Sequence, residues 1–156
     1  VLSDVVCNKG KTSIFTTVSH MDSNRGIDIM LNKLASKGCW VGAIIPDKLI
    51  ATDCNVRFNL QPNVEVYTGY KLPHSKYMVI DGFYRGKLEK IVWTGSHNYH
   101  ATSLYADETL LEIRDEAVVS GFKKNWNKLK ANSLREMYPL KEKDNNSCYK
   151  FNNSFK

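Results

Sequence analysis

Residues 73–82, "PHSKYMVIDG", place a histidine and a lysine two apart at the head of a run that predicts a buried strand. Because side chains alternate along a strand, His74 and Lys76 project to the same side, where the end of a sheet opens to solvent. Asp81 lies seven residues from His74, and this odd offset points it the other way in an unbroken strand. We therefore expect Asp81 to be a structural acid that binds backbone or a turn.

A second polar cluster, "TGSHNY" at residues 94–99, follows the next predicted strand. Gly95 allows a tight turn or a close approach, and Ser96 and Asn98 share a side because they are two apart. An imidazole, an ammonium, a hydroxyl and an amide suit a phosphate diester, whose oxygens need donors and whose phosphorus needs a nucleophile. Glu108 starts a further strand, where a carboxylate is placed to hold one imidazole nitrogen and leave the other free.

The elements that must position these groups begin with a βαβ unit, which is normally parallel. The β-branched run 12–19 and the apolar run 39–46 predict two strands. Between them, Asp22 or Ser23 offers a helix cap and Gly38 a stop. The apolar positions at helical spacing are Ile27, Met30, Leu31 and Leu34.

Further strands are predicted at 64–69, 75–82, 90–96 and 108–113, after a mixed segment at 47–63 that has room for a short helix and a loop. The polar segment 83–89 joins the middle two as a hairpin. A helix is predicted over 116–131. Its apolar face is Val118, Phe122, Trp126 and Leu129, and its other face is Lys123, Lys124, Lys128 and Lys130.

Length and composition favour a single α/β domain, a mixed β-sheet flanked by helices. The chain has 156 residues, of which 42% are apolar, and we place the domain at residues 1–138. Residues 139–156 form a polar tail rich in Asn and Lys. No run of 18 apolar residues predicts a membrane span. The sequence begins at Val1, which fits either a mature form or a piece of a longer protein.

The net charge of +6 is concentrated towards the C-terminus. Residues 1–113 carry 12 basic and 11 acidic groups, whereas residues 114–156 carry 10 and 5. This excess permits binding of a polyanion, and a solvated basic surface explains it equally well. The four cysteines include no CxxC pair, so a zinc site is not expected. Their even number permits disulfides if the protein is secreted, with buried free thiols as the alternative, and the compartment stays open.

Two other features of the sequence have ordinary explanations. His97 and His100 are three residues apart, but no carboxylate or cysteine joins them, so we interpret them as loop or pocket-rim residues rather than metal ligands. The aromatic side chains near the site are assigned mainly to packing, with base stacking as the alternative. These are Tyr77, Trp93, Tyr99 and Tyr105.

The two clusters together resemble the HxKxxxxD…GSxN signature of the phospholipase D superfamily. His74, Lys76 and Asp81 match its first part, and Gly95, Ser96 and Asn98 match its second. Glu108, before a hydrophobic strand, is similar to the acid that follows in that family. The predicted order of strands and helices over residues 10–131 also resembles the order in that family. The 13 residues between Asp81 and Gly95 are more than compact single-motif members have, which we attribute to a longer hairpin.

The resemblance implies a metal-independent phosphodiesterase in which two motif copies form one site. One histidine attacks phosphorus to give a phosphohistidine, and the other protonates the leaving oxygen and then activates water or an alcohol. Carried onto this chain, His74 takes both roles, Lys76 and Asn98 bind the phosphate oxygens, and Ser96 supports that pocket. Glu108 orients the imidazole. No metal or other cofactor is expected.

A single signature copy leaves two ways to supply the second imidazole. The chain works as a homodimer, or it is the C-terminal half of a protein whose N-terminal half carries a second motif. We favour a nuclease-like phosphodiesterase, because single-motif members of this size resemble dimeric nucleases and the chain is basic. The alternatives are a phospholipase D or phosphatidyltransferase acting on phospholipids, and an inactive binding module.

Overall fold

The computed structural model describes residues 1–8, 11–46, 54–60, 62–69 and 74–135. The strands are β1 (Val5–Val6), β2 (Ser13–Thr17), β3 (Trp40–Pro46), β4 (Glu65–Gly69), β5 (Tyr77–Tyr84), β6 (Lys87–Gly95), β7 (Leu110–Ile113) and β8 (Leu134–Arg135). The helices are α1 (Ile27–Ser36), α2 (Cys54–Leu60) and α3 (Glu116–Ala131). Short 3₁₀ turns span Leu2–Asp4, Ser23–Arg25 and Ala101–Leu104.

The strands form a mixed sheet, as predicted, in the order β7-β6-β5-β2-β3-β4-β8, with β1 added alongside β5. Strands β2, β3 and β4 are parallel to one another, and the other pairings are antiparallel. The predicted βαβ unit is confirmed as β2–α1–β3, with Ser13 opposite Trp40 and Thr17 opposite Ile44. The short strands β1 and β8 carry no pattern that predicts them.

Helix α1 begins later than the sequence suggests. Asp22 caps the 3₁₀ turn that precedes it, accepting a hydrogen bond from the backbone of Asn24 at 3.0 Å. The α-helix itself starts at Ile27. Leu31 and Leu34 are buried against the sheet, so the predicted apolar face is confirmed.

Helix α3 covers the opposite face of the sheet and has the predicted bounds, 116–131. It begins where Asp115 accepts a hydrogen bond from the backbone of Val118 at 2.9 Å. Its buried face differs from the prediction by one position, because Val119 is 1% exposed and Val118 is 39% exposed. Trp126 is fully buried, and its Nε1 donates to the carbonyl of Thr16 in β2 at 2.9 Å, which ties the helix to the centre of the sheet.

Strands β5 and β6 form a longer hairpin than the two predicted strands, as the spacing of the motif indicates. They pair from Tyr77 opposite Thr94 to Tyr84 opposite Lys87. The turn has Arg85 at φ 49° and Gly86 at φ 77°. Two successive left-handed residues are typical of the turn that matches the twist of a tight hairpin. Tyr84 is buried against Trp93, which explains why pairing continues beyond the predicted strand end.

A disulfide joins Cys7, after β1, to Cys39, just before β3. The two Cα atoms are 4.8 Å apart. Of the two possibilities that the sequence left open, the structure therefore has the disulfide for this pair. The other two cysteines, and the predicted tail at 139–156, lie outside the described residues or side chains. No helix in the described ranges has both the length and the apolarity needed to cross a bilayer.

Candidate active site

Apart from Asp81, the predicted site residues lie at one edge of the sheet, where three strands begin or end. Thr17, the last residue of β2, pairs with Tyr77, the first of β5, and Tyr77 pairs with Thr94 near the end of β6. The segments that follow β2 and β6 and the segment that precedes β5 therefore meet at this edge. Ligands of α/β proteins bind at the carboxyl ends of parallel strands, and β2 ends here.

His74 and Lys76 lie at the mouth of an open depression of about 680 Å³. His74 is exposed and Lys76 half-buried. The ammonium of Lys76 donates to the carbonyl of His74 at 3.0 Å, and the carbonyl of Lys76 accepts from the hydroxyl of Thr94 at 3.1 Å. The depression is further lined by Ser96 and, from α3, by Val118, Phe122 and Asn125. His74, Lys76 and Ser96 are thus brought together as predicted.

Gly95 is required because the backbone before β7 passes directly over it. A Cβ atom at this position would lie 1.8 Å from the carbonyl oxygen of Thr109. The close approach lets the amide of Ser96 donate to that same carbonyl at 3.1 Å. The amide of Thr109 donates in turn to the Ser96 hydroxyl at 3.0 Å. The glycine therefore fixes the entry to β7 against the end of β6.

Glu108 does not make the contact predicted for it. Its carboxylate accepts a hydrogen bond from the Ser96 hydroxyl, and no bond to His74 occurs in the described part of the chain. The reason is the close contact between Gly95 and the backbone of Thr109, which holds the preceding residue, Glu108, beside Ser96. The Ser96 proton is committed to Glu108, so the pair holds the end of β6 to the segment before β7.

Asn98 is fixed by a residue that the sequence analysis did not consider. The hydroxyl of Ser19, two residues beyond β2, donates to Asn98 Oδ1 at 2.7 Å. The backbone amide of Asn98 donates to the Ser103 hydroxyl at 3.2 Å. With its carbonyl oxygen occupied, the side chain of Asn98 keeps its NH₂ group for another acceptor.

Asp81 lies on β5 away from the depression that His74 and Lys76 share. Its carboxylate accepts from the ammonium of Lys123, on α3, at 2.6 Å. It lines a different depression together with Lys90 and Glu116, which form an ion pair of their own. Asp81 is separated from the depression of His74 and Lys76 by its position along β5 and not by strand parity, because α3 lines both depressions. Its partner is a lysine side chain and not the backbone or turn expected from the sequence. The geometry also places Lys123 in an ion pair rather than on a free basic surface.

His20 is a histidine near the site that the sequence analysis did not consider. It follows β2, and its carbonyl accepts from the amide of Tyr99 at 3.0 Å, which joins the loop after β2 to the loop after β6. Burial lowers the pKa of His20, and the charges of His100, Lys76 and His74 lower it further. The available signal was the run "SHMD" directly after a predicted parallel strand.

The other candidates occupy the surroundings of the site. His97 lines a separate, largely apolar depression, and His100 lies 3.4 Å from the Asp22 carboxylate. Within the described ranges no three His, Cys, Asp or Glu side chains group as metal ligands. Tyr77, Trp93 and Tyr99 are buried, in agreement with packing roles, and burial raises the pKa of Tyr99 to about 12. Tyr105 is 91% exposed.

Comparison with known families decides the relationship. Residues 7–130 match the family described as "Cardiolipin synthase, PLD-like domain". The chain belongs to the phospholipase D superfamily. This membership supports a phosphodiesterase, an enzyme that hydrolyses phosphodiester bonds. A comparison with curated protein sequences finds no significant match.

Several solved structures share the fold. Nuc, a phospholipase D family member from Salmonella typhimurium, has a TM-score of 0.67 at 16% identity, over 86% of this chain and 87% of Nuc. NucT from Helicobacter pylori has a TM-score of 0.56 at 20% identity, over 80% and 82%. TrmBL2, an archaeal chromatin protein with a novel mode of DNA binding, has 0.56 at 14%, over 86% and 46%.

Proposed function

We propose that this phospholipase D superfamily member hydrolyses phosphodiester bonds in nucleic acids without a metal, through a phosphohistidine, as a homodimer. The observation that supports this most strongly is the convergence of His74, Lys76 and Ser96 on one open depression, with Asn98 two residues beyond Ser96. The site offers a nucleophile and cationic or amide donors, with Glu108 engaged by Ser96. Such a site needs no metal to hold a phosphate.

In the proposed first step, an imidazole nitrogen of His74 attacks phosphorus, a P–N bond forms, and the bond from phosphorus to the leaving oxygen breaks. That oxygen takes a proton from the second His74 of the dimer. In the second step, water gives a proton to the second His74, its oxygen bonds to phosphorus, and the P–N bond breaks. Lys76 and Asn98 stabilise the charge on the non-bridging oxygens throughout.

The homodimer is proposed because in-line displacement places the attacking and leaving groups on opposite sides of phosphorus. One imidazole cannot serve both sides, so a twofold axis beside the depression would supply the second His74. Strand β7 lies at the edge of the described sheet, and both Leu110 and Leu111 are half-exposed there. Together with the exposed Val118 at the mouth of the depression, they offer apolar surface for such a contact.

Mixing wild type with the His74→Ala variant in known ratios tests the shared site. Each chain has one His74, so a heterodimer has a single His74 at its site. The rate per wild-type chain should fall as mutant chains are added. A constant rate, or full activity from a monomer by light scattering, would contradict the shared site. Activity should also persist in EDTA, and loss in EDTA with recovery on adding a divalent ion would contradict the metal-free mechanism.

A phospholipid substrate is the second candidate, because the matching family is described by the name cardiolipin synthase. Nucleic acid is preferred because the chain is basic, and TrmBL2, which shares the fold, is described as binding DNA. Single-stranded DNA, RNA and phosphatidylglycerol vesicles should be compared side by side in EDTA. Hydrolysis of the lipid alone would establish the second candidate. Binding without hydrolysis of any of them would establish an inactive binding module.

The basic surface of α3 gives a separate test of the substrate. Lys124 and Lys128 are exposed, whereas Lys123 pairs with Asp81 and Lys130 lies over the ring of Trp126. If α3 follows a phosphate backbone, Lys124→Gln with Lys128→Gln should weaken DNA binding and reduce the salt slope by about one per lost contact. Lys33→Gln, on α1, with Lys37→Gln, directly after it, is the matched control and should leave the slope unchanged.

A further inference from the structure

His20 is anchored to the same rigid pair of loops as Asn98. The loop after β2 is joined to the loop after β6 by the bond from the Tyr99 amide to the His20 carbonyl, at 3.0 Å, and by that from the Asp22 amide to the Tyr99 carbonyl, at 3.0 Å. The Ser19 hydroxyl adds its bond to Asn98 Oδ1. The His20 backbone is therefore held by its own hydrogen bond and by those of Ser19 and Asp22 on either side.

The imidazole of His20 has a nitrogen with no partner. Nδ1 is buried and accepts or donates no hydrogen bond among the residues that the structure describes. The side chain as a whole is half-buried, so the ring is not enclosed in the core. A buried polar atom without a hydrogen-bond partner is destabilising, and such atoms are uncommon in native proteins. A packing role alone would be served better by an apolar ring.

Burial lowers the pKa of His20, and the charges of His100, in the loop after β6, and of Lys76 and His74, in the segment before β5, lower it further. Asp22, on the same loop as His20, is the acid beside this cluster, and it is already engaged by His100 Nε2 at 3.4 Å and by the Ala101 amide at 2.8 Å. A second proton on His20 would therefore add positive charge near the ammonium of Lys76. The ring stays neutral at neutral pH while its surroundings attract an anion.

We propose that His20 is an additional phosphate-binding residue of the site, which donates a hydrogen bond from its neutral ring to the substrate beside Lys76. A neutral imidazole can donate from one nitrogen while the other stays bare. The buried Nδ1 without an acceptor favours the proton on Nε2. His20 would then add a directed donor without adding charge, which complements the ammonium of Lys76. This inference rests on the phosphodiesterase proposal and deepens it.

Two substitutions of His20, one that keeps an N–H donor and one that removes it, test whether the residue acts through its hydrogen bond. Hydrolysis of bis(p-nitrophenyl) phosphate is measured for wild type, His20→Gln, which keeps an N–H near the position of Nε2, and His20→Ala. The alanine variant should lose about ten- to a hundredfold in kcat/KM, the size of one hydrogen bond to a charged group, and glutamine should restore most of it. His97→Gln, outside the depression, is the matched control and should match wild type.

Activity equal to wild type in His20→Ala, or equal losses in both His20 variants, would overturn the proposed donor. So would an equal loss in His97→Gln, since the effect would then be a general disturbance of the loops. The pH profile of kcat/KM should keep its shape in His20→Gln, because the proposed donor does not titrate in turnover. An altered acidic limb would assign His20 to proton transfer instead and overturn the neutral role.

A binding measurement on the unaltered protein does not depend on turnover or on the folding of a variant. The four imidazole resonances are assigned by single substitutions and followed by NMR as inorganic phosphate is added. The resonances of His20 and His74 should move together with one dissociation constant, while that of His97 stays fixed. Movement of His74 without His20 overturns the His20 proposal alone. If neither moves and no substrate is hydrolysed, the phosphodiesterase proposal fails as well.

Discussion

The charged side chains at the two ends of β5 differ in how they are paired. At the far end of β5, the carboxylate of Asp81 is paired with Lys123, and the neighbouring Lys90 is paired with Glu116. At the near end, Lys76 has no carboxylate partner in the described part of the chain and donates instead to the carbonyl of His74. Both ends open into depressions on the same side as α3.

The difference separates charges that serve the fold from charges left for a ligand. A paired ion contributes to stability and has little attraction left for a third group. A cation held in place by a carbonyl retains nearly all of its attraction for an anion. Asp81 and Lys76 belong to the same sequence signature, and yet their surroundings assign them to different tasks. Substitutions at the two ends should therefore affect different measurements.

The largest effect is expected from His74→Ala. Removal of the proposed nucleophile should lower turnover by about a thousandfold or more, as in other enzymes that act through a covalent intermediate. The side chain is exposed, so the melting temperature should stay close to that of wild type. The measurement is kcat on a phosphodiester, with thermal unfolding beside it. Substantial turnover in the variant would assign the nucleophile to another residue.

Lys76→Gln should have the next largest effect. Loss of the ammonium removes an electrostatic stabiliser of the transition state, and we expect kcat to fall by about a hundred- to a thousandfold. Lys123→Gln, at the paired end of β5, is the matched control and should keep its kcat. Equal losses of kcat in both variants would mean that the two ends are not separate in function.

Asp81→Asn should change stability rather than turnover. The ion pair with Lys123 is about one-third exposed on both sides, so its loss should lower the free energy of unfolding by about 1 kcal/mol. The double variant with Lys123→Gln should cost less than the sum of the single changes. Chemical denaturation and kcat are measured together. A large fall in kcat with unchanged stability would show that Asp81 acts in catalysis.

The smallest effect concerns the pH dependence of stability. The pKa of His20 lies below its ordinary value of 6.5 in the folded protein, so the unfolded chain binds more protons in the window below 6.5. Wild type should therefore lose stability relative to His20→Gln as the pH falls from 7 to 5. Denaturant midpoints for both proteins at several pH values measure this. Parallel curves would indicate that His20 titrates normally.

Local patterns were sufficient for much of the fold and for the first part of the site. The period of apolar residues predicted α3 over 116–131, and alternation predicted the strands that carry His74 and Ser96. Contacts between distant segments were not predictable in this way. His20 meets Tyr99 only because β2 and β6 end at the same edge, and Glu108 meets Ser96 only because the backbone passes over Gly95. The shift from Val118 to Val119 reflects how α3 is rotated on the sheet.

The bond between Cys7 and Cys39 makes the β2–α1 unit a covalent ring. The ring contains Ser19 and His20, so the loop that braces Asn98 belongs to a closed circuit of chain. Closure of a loop with a sequence separation of 32 residues restricts the unfolded chain by about 4 kcal/mol in the entropic account. A protease that cuts once between these cysteines would leave the two fragments joined until a reductant is added. The loop that holds Asn98 therefore lies within a ring of chain that a reductant can open.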